Sequence, residues 1–263
     1  MDKKLEVARQ FLWVQGEGPQ VLYKFRPSTS FDATLDFTFR RRSLYLASPE
    51  KFPDDCDMKP RSHPSTSAEE SAYYDEVAST FPSEVREETR RFLPEVVPPA
   101  EVNRQFHAGL RDQILSPHGV CCFTANASSP VIWETHAGQH TGFAVAYRPS
   151  RIGRLFHPIF RVEYVPAAPT VSAFNKATRD LSAVLRQKRA QFEWEEEWRT
   201  VRRRAVGPVE VPIGAIAGVL LGADMVPAHR AALRDAARRL AEEPAVLQAT
   251  SRGPERMSFE RVQ

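Results

Sequence analysis

Glu193, Glu195 and Glu197 recur at every second position between Phe192 and Arg199, with Trp194, Glu196 and Trp198 between and after them. Thr200-Val201-Arg202 follows, so the segment reads as a strand rather than an acidic tail. On a strand, alternate residues share one face. Glu193, Glu195, Glu197 and Arg199 then point one way, and Trp194, Glu196 and Trp198 the other. A face lined with carboxylates is costly unless it meets water, a cation or a substrate. Two readings stand. In the first, Glu197 stabilises positive charge developing on a substrate while Glu195 positions the acceptor. In the second, the acids form a structural ion-pair ladder answered by Arg26, Lys188 and Arg199.

Other residues could serve the first reading. Arg26 or Arg199 could clamp a diphosphate through two parallel hydrogen bonds. Tyr23, Trp133 or Trp198 could stack a flat ring, although a tryptophan at a helix start equally reads as core. His136 and His140 lie four apart, a spacing that shares one helix face and suits a metal. Gly138 and Thr141-Gly142 end the helix between them, so no metal site is expected. A histidine in a cleft, bonding substrate or backbone, and a purely structural histidine remain the alternatives. Asp54 and Asp57 follow the turn at Pro49 and read as caps of their own backbone. A reading of a different class groups Asp54 with Glu195 and Glu197 around magnesium as a nuclease. The basic run at Arg40 to Arg42 would then meet phosphates.

These residues need elements to hold them. Lys3 to Val14 has the spacing of a short helix, broken at Gly16-Glu17-Gly18-Pro19. Val21 to Arg26 alternates as a strand ended by Pro27. Phe31 to Phe39 predicts a short helix and Ser43 to Ala47 a strand. A polar, proline-rich loop covers about 57–68. Helices are expected over roughly 68–81, 83–92 and 100–115, giving an inserted helical lobe at 57–115. Strands follow at 119–124, 142–147 and 160–165, with a short helix from Pro130 carrying Trp133 and His136. Val171 to Gln191 predicts a long helix. One or two strands fall within 209–221, an amphipathic helix at 227–242, and closing strands at 246–250 and 257–262. Strands and helices do not alternate regularly, so the expectation is one α+β domain over 1–263 with a mixed, mostly antiparallel sheet. The chain has no Gly-x-Gly-x-x-Gly or phosphate-binding Walker loop, which argues against Rossmann and P-loop enzymes.

Composition narrows the class further. The chain has 263 residues, 42% hydrophobic and 26% charged, with a formal charge of +3. That is the profile of a globular domain, and so small a charge does not call for a nucleic-acid partner. No apolar run is long enough to span a membrane, and the lysines at the start precede no apolar core of a signal peptide. Cys56, Cys121 and Cys122 form no Cys-x-x-Cys pair, and reduced thiols in a cytoplasmic protein are the simplest expectation.

Five blocks, in order, carry a family resemblance. They are Leu22-Tyr23-Lys24-Phe25-Arg26; Leu44 to Pro49 with Phe52-Pro53-Asp54-Asp55-Cys56-Asp57; Cys122-Phe123-Thr124 with Trp133-Glu134-Thr135-His136-Ala137, His140 and Gly142; Lys188 with Glu195 to Arg199; and Ala217 to Gly222. Together they resemble the bacterial and phage family called domain of unknown function 2971, across about residues 21–250. Pro53 and Asp55 depart from the usual asparagine and proline, His136 replaces a common tyrosine, and Phe192 replaces a tryptophan. The block order is more distantly similar to ADP-ribosyltransferases, including DNA-modifying DarT-like toxins. That similarity implies an ADP-ribosyltransferase-like fold and NAD as substrate. Its pattern is matched by Arg26, Thr124 and Glu195-x-Glu197, which implies catalytic Glu195 and Glu197; with the stacking and clamping residues above, Tyr23, Arg26, Thr124, Trp133, His140 and Arg199 are expected at the nucleotide. It leaves the acceptor unnamed and suggests a toxin or antiphage effector. A non-catalytic module that binds a nucleotide or a phage component is the third reading.

Overall fold

The computed structural model describes residues 16–153, 156, 158–175, 181–252 and 256–262. The helix expected at Lys3 to Val14 lies outside them. The chain divides into two compact units. The first comprises Met1–Ala47, His118–Tyr164 and Gln191–Gln263, and the second Ser48–Pro117 and Val165–Ala190.

The first unit is built on one eight-stranded sheet. Its strands are β1 (Leu22–Arg26), β2 (His118–Thr124), β3 (Phe143–Tyr147), β4 (Ile159–Arg161), β5 (Glu197–Arg203), β6 (Ile216–Leu221), β7 (Ala245–Arg252) and β8 (Met257–Arg261). Across the sheet the order is β8-β7-β6-β3-β1-β2-β5-β4. Every neighbouring pair is antiparallel except β6 and β7. A parallel pair needs a crossover, and the helix Pro227–Arg238 supplies it. The expected α+β class with a mostly antiparallel sheet is therefore what forms.

Alternation along the strands sorts side chains onto two faces. Leu22, Cys121, Phe123, Val145, Tyr147 and Val219 enter one apolar cluster, with Leu233 and Ala237 of the crossover helix. We call this the first face. Phe25, Ala144, Leu220 and Ala249 enter another, with Ile132 and Trp133 of the helix Pro130–His136. This is the second face. All five residues of β3 are buried because both faces are covered at the sheet centre. Gly142, just before β3, lies where a Cβ would run into the carbonyl oxygens of Arg26 and Ala137, so only glycine lets these backbones approach.

One join in the sheet is incomplete. β1 and β2 share a single register pair, Tyr23 with Thr124, whereas β1 and β3 share five. Beyond Tyr23 the Cys122 carbonyl accepts from Lys24 Nζ at 2.9 Å. A lysine takes the place of a strand amide because the two strands diverge there, and an unsatisfied buried carbonyl would be costly.

The second unit holds the helices Ser67–Ser79, Arg86–Val96 and Pro99–Leu110, the last running on into a π turn at Arg111–Leu115. Thr66 and Glu69 close a capping box at the first of them. The helical lobe read at 57–115 falls within this unit, which also takes in Val165–Ala190. Tyr74, Val102, Ala173 and Phe174 form one of its cores.

The long helix expected over 171–191 does not form as such. Thr170–Val171 and Gln187–Arg189 are strands, and only Leu181–Arg186 is helical, with residues 176–180 outside those described. Ser172 Oγ accepts from the Phe174 amide at 3.1 Å, a local bond that competes with helical pairing. Thr170–Val171 pairs instead with Arg61–Ser62. No helix among the described residues is long and apolar enough to cross a membrane.

Candidate functional site

The acidic segment is not a continuous strand. Ala190–Glu195 is a 3₁₀ helix, and β5 begins only at Glu197. Between them Glu196 takes a left-handed backbone, φ 44°. Its amide bonds the Glu193 carbonyl at 3.1 Å, and Asn126 Nδ2 donates to its carboxylate at 2.8 Å. The expected alternation of Glu193, Glu195 and Glu197 is thereby corrected: a turn, not a pleat, relates Glu195 to Glu197. The turn still returns Glu195 to the second face. Its Oε1 lies 3.3 Å from His136 Nε2, and Trp194 packs into the second-face cluster. The His136 and Trp194 rings stack at 5.8 Å between centroids.

Register places the other acid. Tyr23 of β1 opposes Thr124 of β2, and Thr124 opposes Glu197 of β5. Directly opposed residues share a face, so Tyr23, Thr124 and Glu197 form one row across three strands. Arg199, two residues along β5, shares that face. Its Nε donates to Glu197 Oε1 at 2.6 Å and its Nη2 to Oε2 at 3.3 Å. The side chains are 0% and 4% exposed. The Glu197 amide donates to the Tyr164 hydroxyl at 2.8 Å. Thr124 Oγ1 accepts from the Asn126 amide at 2.9 Å, which turns the chain after β2. Burial pushes the Tyr23 phenol above its ordinary range.

Several residues read together from sequence are not together in space. Arg26 opposes Phe143 and so lies on the first face, across the sheet from Glu197. There its charge acts on Cys121 and Tyr147. Residues 22 to 26 alternate, and Tyr23 and Arg26 differ in parity, so they leave the strand on opposite sides. Lys188 answers Asp57 at 3.5 Å within the second unit. Of the three cations expected to answer the acids, Arg199 contacts Glu197 directly.

Trp133 is fully buried, edge-on to Phe25 at 4.9 Å, with Nε1 donating to the Ala127 carbonyl at 2.7 Å. It is core, and its faces are not offered to a ligand. Trp198 packs against the first-face cluster. His140 lies parallel to Trp133 at 6.5 Å and ends a run of left-handed residues, Gly138, Gln139 and His140. Its carbonyl accepts from the Asp224 amide at 3.0 Å, so it shapes a turn.

Asp54 Oδ1 accepts from the Cys56 amide and from Arg189, each at 2.9 Å, which fits the expected cap. Among the described residues no group of three or more His, Cys, Asp or Glu could hold a metal ion. The magnesium-nuclease reading therefore finds no ready set of ligands there. Asn126, Tyr164 and the His136–Glu195 contact were not foreseen. Asn126-Ala127-Ser128 carried a signal, since asparagine two residues before serine after a strand marks an Asx turn. Asn126 Oδ1 indeed accepts from the Ser128 amide at 3.1 Å.

Fold and site together define an α+β protein whose central strands carry a hydroxyl–hydroxyl–carboxylate row beside a second, histidine-bound acid. No family model matches the chain, and no curated protein or solved structure matches it either. The resemblance to domain of unknown function 2971 rests on its motif blocks alone.

Proposed function

We propose that the second face of the sheet binds a ribosyl nucleotide, NAD in the first instance, and breaks its glycosidic bond. The observation that supports this most directly is the row Tyr23–Thr124–Glu197, with Glu195 on the adjoining turn. When the bond between ribose and nicotinamide breaks, its electron pair leaves with the nicotinamide, which departs neutral. Positive charge remains on the ribose. A carboxylate fixed by a bidentate arginine can stabilise that charge and hold the ribose hydroxyls. Glu197 has that character. Glu195, bonded to His136, would take the proton of the attacking acceptor hydroxyl, or of water.

Glu195 and Glu197 are only 9% and 3% exposed. His136 bonds Glu195 and its ring stacks on Trp194, so the two rings border that acid. Arg26 has no place in this constellation, so the proposal departs from the arginine clamp that the resemblance implied. The acceptor, and a role as toxin or antiphage effector, belong to the same proposal. The test is nicotinamide release from NAD by the purified chain, beside Glu197→Gln and Glu195→Gln variants assayed at a temperature where each is shown to be folded. Release lost in Glu197→Gln supports the reading. No release and no NAD binding by the parent protein would sink it.

A further inference from the structure

Glu196 takes no part in the chemistry above, yet its backbone is the strained one of the acidic segment. Its φ of 44° lies in the left-handed region. That region favours glycine, because a Cβ crowds the following carbonyl oxygen. Strain of this kind persists only where the surroundings impose it, and it clusters at functional sites. The Glu196 carboxylate is met by an amide: Asn126 Nδ2 donates to its Oε1 at 2.8 Å.

Asn126 makes that bond in one orientation only. Its Oδ1 accepts from the Ser128 amide at 3.1 Å and from the Ser128 hydroxyl at 2.9 Å. Two donors on the oxygen turn Nδ2 the other way, toward Glu196, so the network assigns the orientation of the amide. The Asn126 backbone amide donates to Thr124 Oγ1 at 2.9 Å, and the Ala125 amide donates to the Glu196 carbonyl at 3.4 Å. Asn126 therefore joins the end of β2, beside Thr124, to the turn between Glu195 and Glu197.

The two acids have different anchors. Glu197 is set by its register with Thr124 and by Arg199. Glu195 belongs to the 3₁₀ helix before the turn, outside the sheet, and its Oε1 reaches His136 Nε2 at 3.3 Å. Between them stands one residue, Glu196, whose two soft dihedrals decide how the 3₁₀ helix meets β5. A bond that fixes Glu196 thus fixes the spacing of the acids. Reaction rates are sensitive to such spacing: a displacement of about 1 Å can cost about a hundredfold.

We propose that Asn126 and Glu196 form a positioning pair that sets Glu195 against Glu197. Neither touches the reacting atoms. Asn126 acts through Glu196, and Glu196 acts through the turn. The effect on the reaction rests on the NAD reading above, whereas the effect on the geometry does not.

Asn126→Asp separates the pair from the loop around it. An aspartate at this position keeps both bonds from Ser128 but sets an oxygen against the Glu196 carboxylate. Adding Glu196→Gln restores a donor, now on the glutamine and facing the aspartate. Each protein is assayed at a temperature where circular dichroism shows it folded. In Asn126→Asp, kcat for nicotinamide release is expected to fall at least about tenfold, with KM changed by less than about threefold. The double variant Asn126→Asp, Glu196→Gln should recover kcat to within about threefold of the parent. Glu196→Gly accepts the left-handed turn but lacks the carboxylate, and should lose kcat as Asn126→Asp does. Full kcat in Asn126→Asp or in Glu196→Gly, or no recovery in the double variant, overturns the proposal.

Crystal structures of the parent, Asn126→Asp and the double variant decide the geometry by themselves. A parent that releases no nicotinamide defeats the NAD reading and leaves this arm standing. Glu195 Oε1 should leave hydrogen-bond distance of His136 Nε2 in Asn126→Asp and return to it in the double variant. A contact unchanged in Asn126→Asp overturns the positioning pair itself.

Discussion

Arg199 and Glu197 sit two residues apart on one strand face, joined by two hydrogen bonds of 2.6 and 3.3 Å, with both side chains buried. The ion pair thus runs along β5 rather than across to β1. It gives the buried Glu197 side chain a cationic partner and satisfies part of a guanidinium that has no access to water. Removing either partner alone takes from the other, still buried, a short charge-assisted contact. Arg199→Met should therefore destabilise the protein by about 3–5 kcal/mol, while the double variant Glu197→Met, Arg199→Met should recover much of that loss. Urea unfolding of the four proteins in the cycle measures it. A double variant as unstable as the sum of the singles would refute this account of the pair.

A second buried pair makes stability depend on acid. Arg42 donates to both oxygens of Glu242 at 3.0 Å. Burial alone would raise this carboxyl, but the arginine outweighs it and holds Glu242 below its ordinary range. The unfolded value is about 4.3. The stabilisation is therefore fully present above that pH and is lost as pH falls through the lower, folded value. Thermal melts below about pH 4.3 should show the parent protein losing stability with a steeper slope than Glu242→Gln.

The cysteines should differ in reactivity. Cys121 and Cys56 are buried, and burial pushes the Cys121 thiol above its ordinary range, although Lys24 and Arg26 oppose this. Cys122, its neighbour, points to the other face and is partly exposed. Because the thiolate is the reactive form, a thiol reagent should label Cys122 in the native protein. Cys121 and Cys56 should react only on unfolding, and peptide mapping by mass spectrometry distinguishes them.

Trp133 gives a test that separates core from ligand platform. Its burial against Phe25 and its bond to Ala127 make Trp133→Ala a cavity-forming change, costing about 3–5 kcal/mol. Trp133→Phe should retain the fold with a smaller loss and leave the KM for NAD unchanged. A raised KM at unchanged stability would return the indole to the ligand site.

By itself, the sequence determined the strands that alternate cleanly, such as Leu22–Arg26, and the class of a mostly antiparallel α+β sheet. It also singled out Glu195 and Glu197, carboxylates unusual so close to apolar strands, whereas Thr124 came forward through the resemblance alone. Two things escaped it, for different physical reasons. The turn at Glu196 depends on Asn126 and the Ala125 amide reaching across from another strand, which no local pattern in 192–199 encodes. The partner of each charge was also hidden. Periodicity fixes which residues of one strand share a face, but register between strands decides which faces coincide. That register puts Thr124 between Tyr23 and Glu197 and sends Arg26 to the far side of the sheet, while Arg199 meets Glu197 along its own strand.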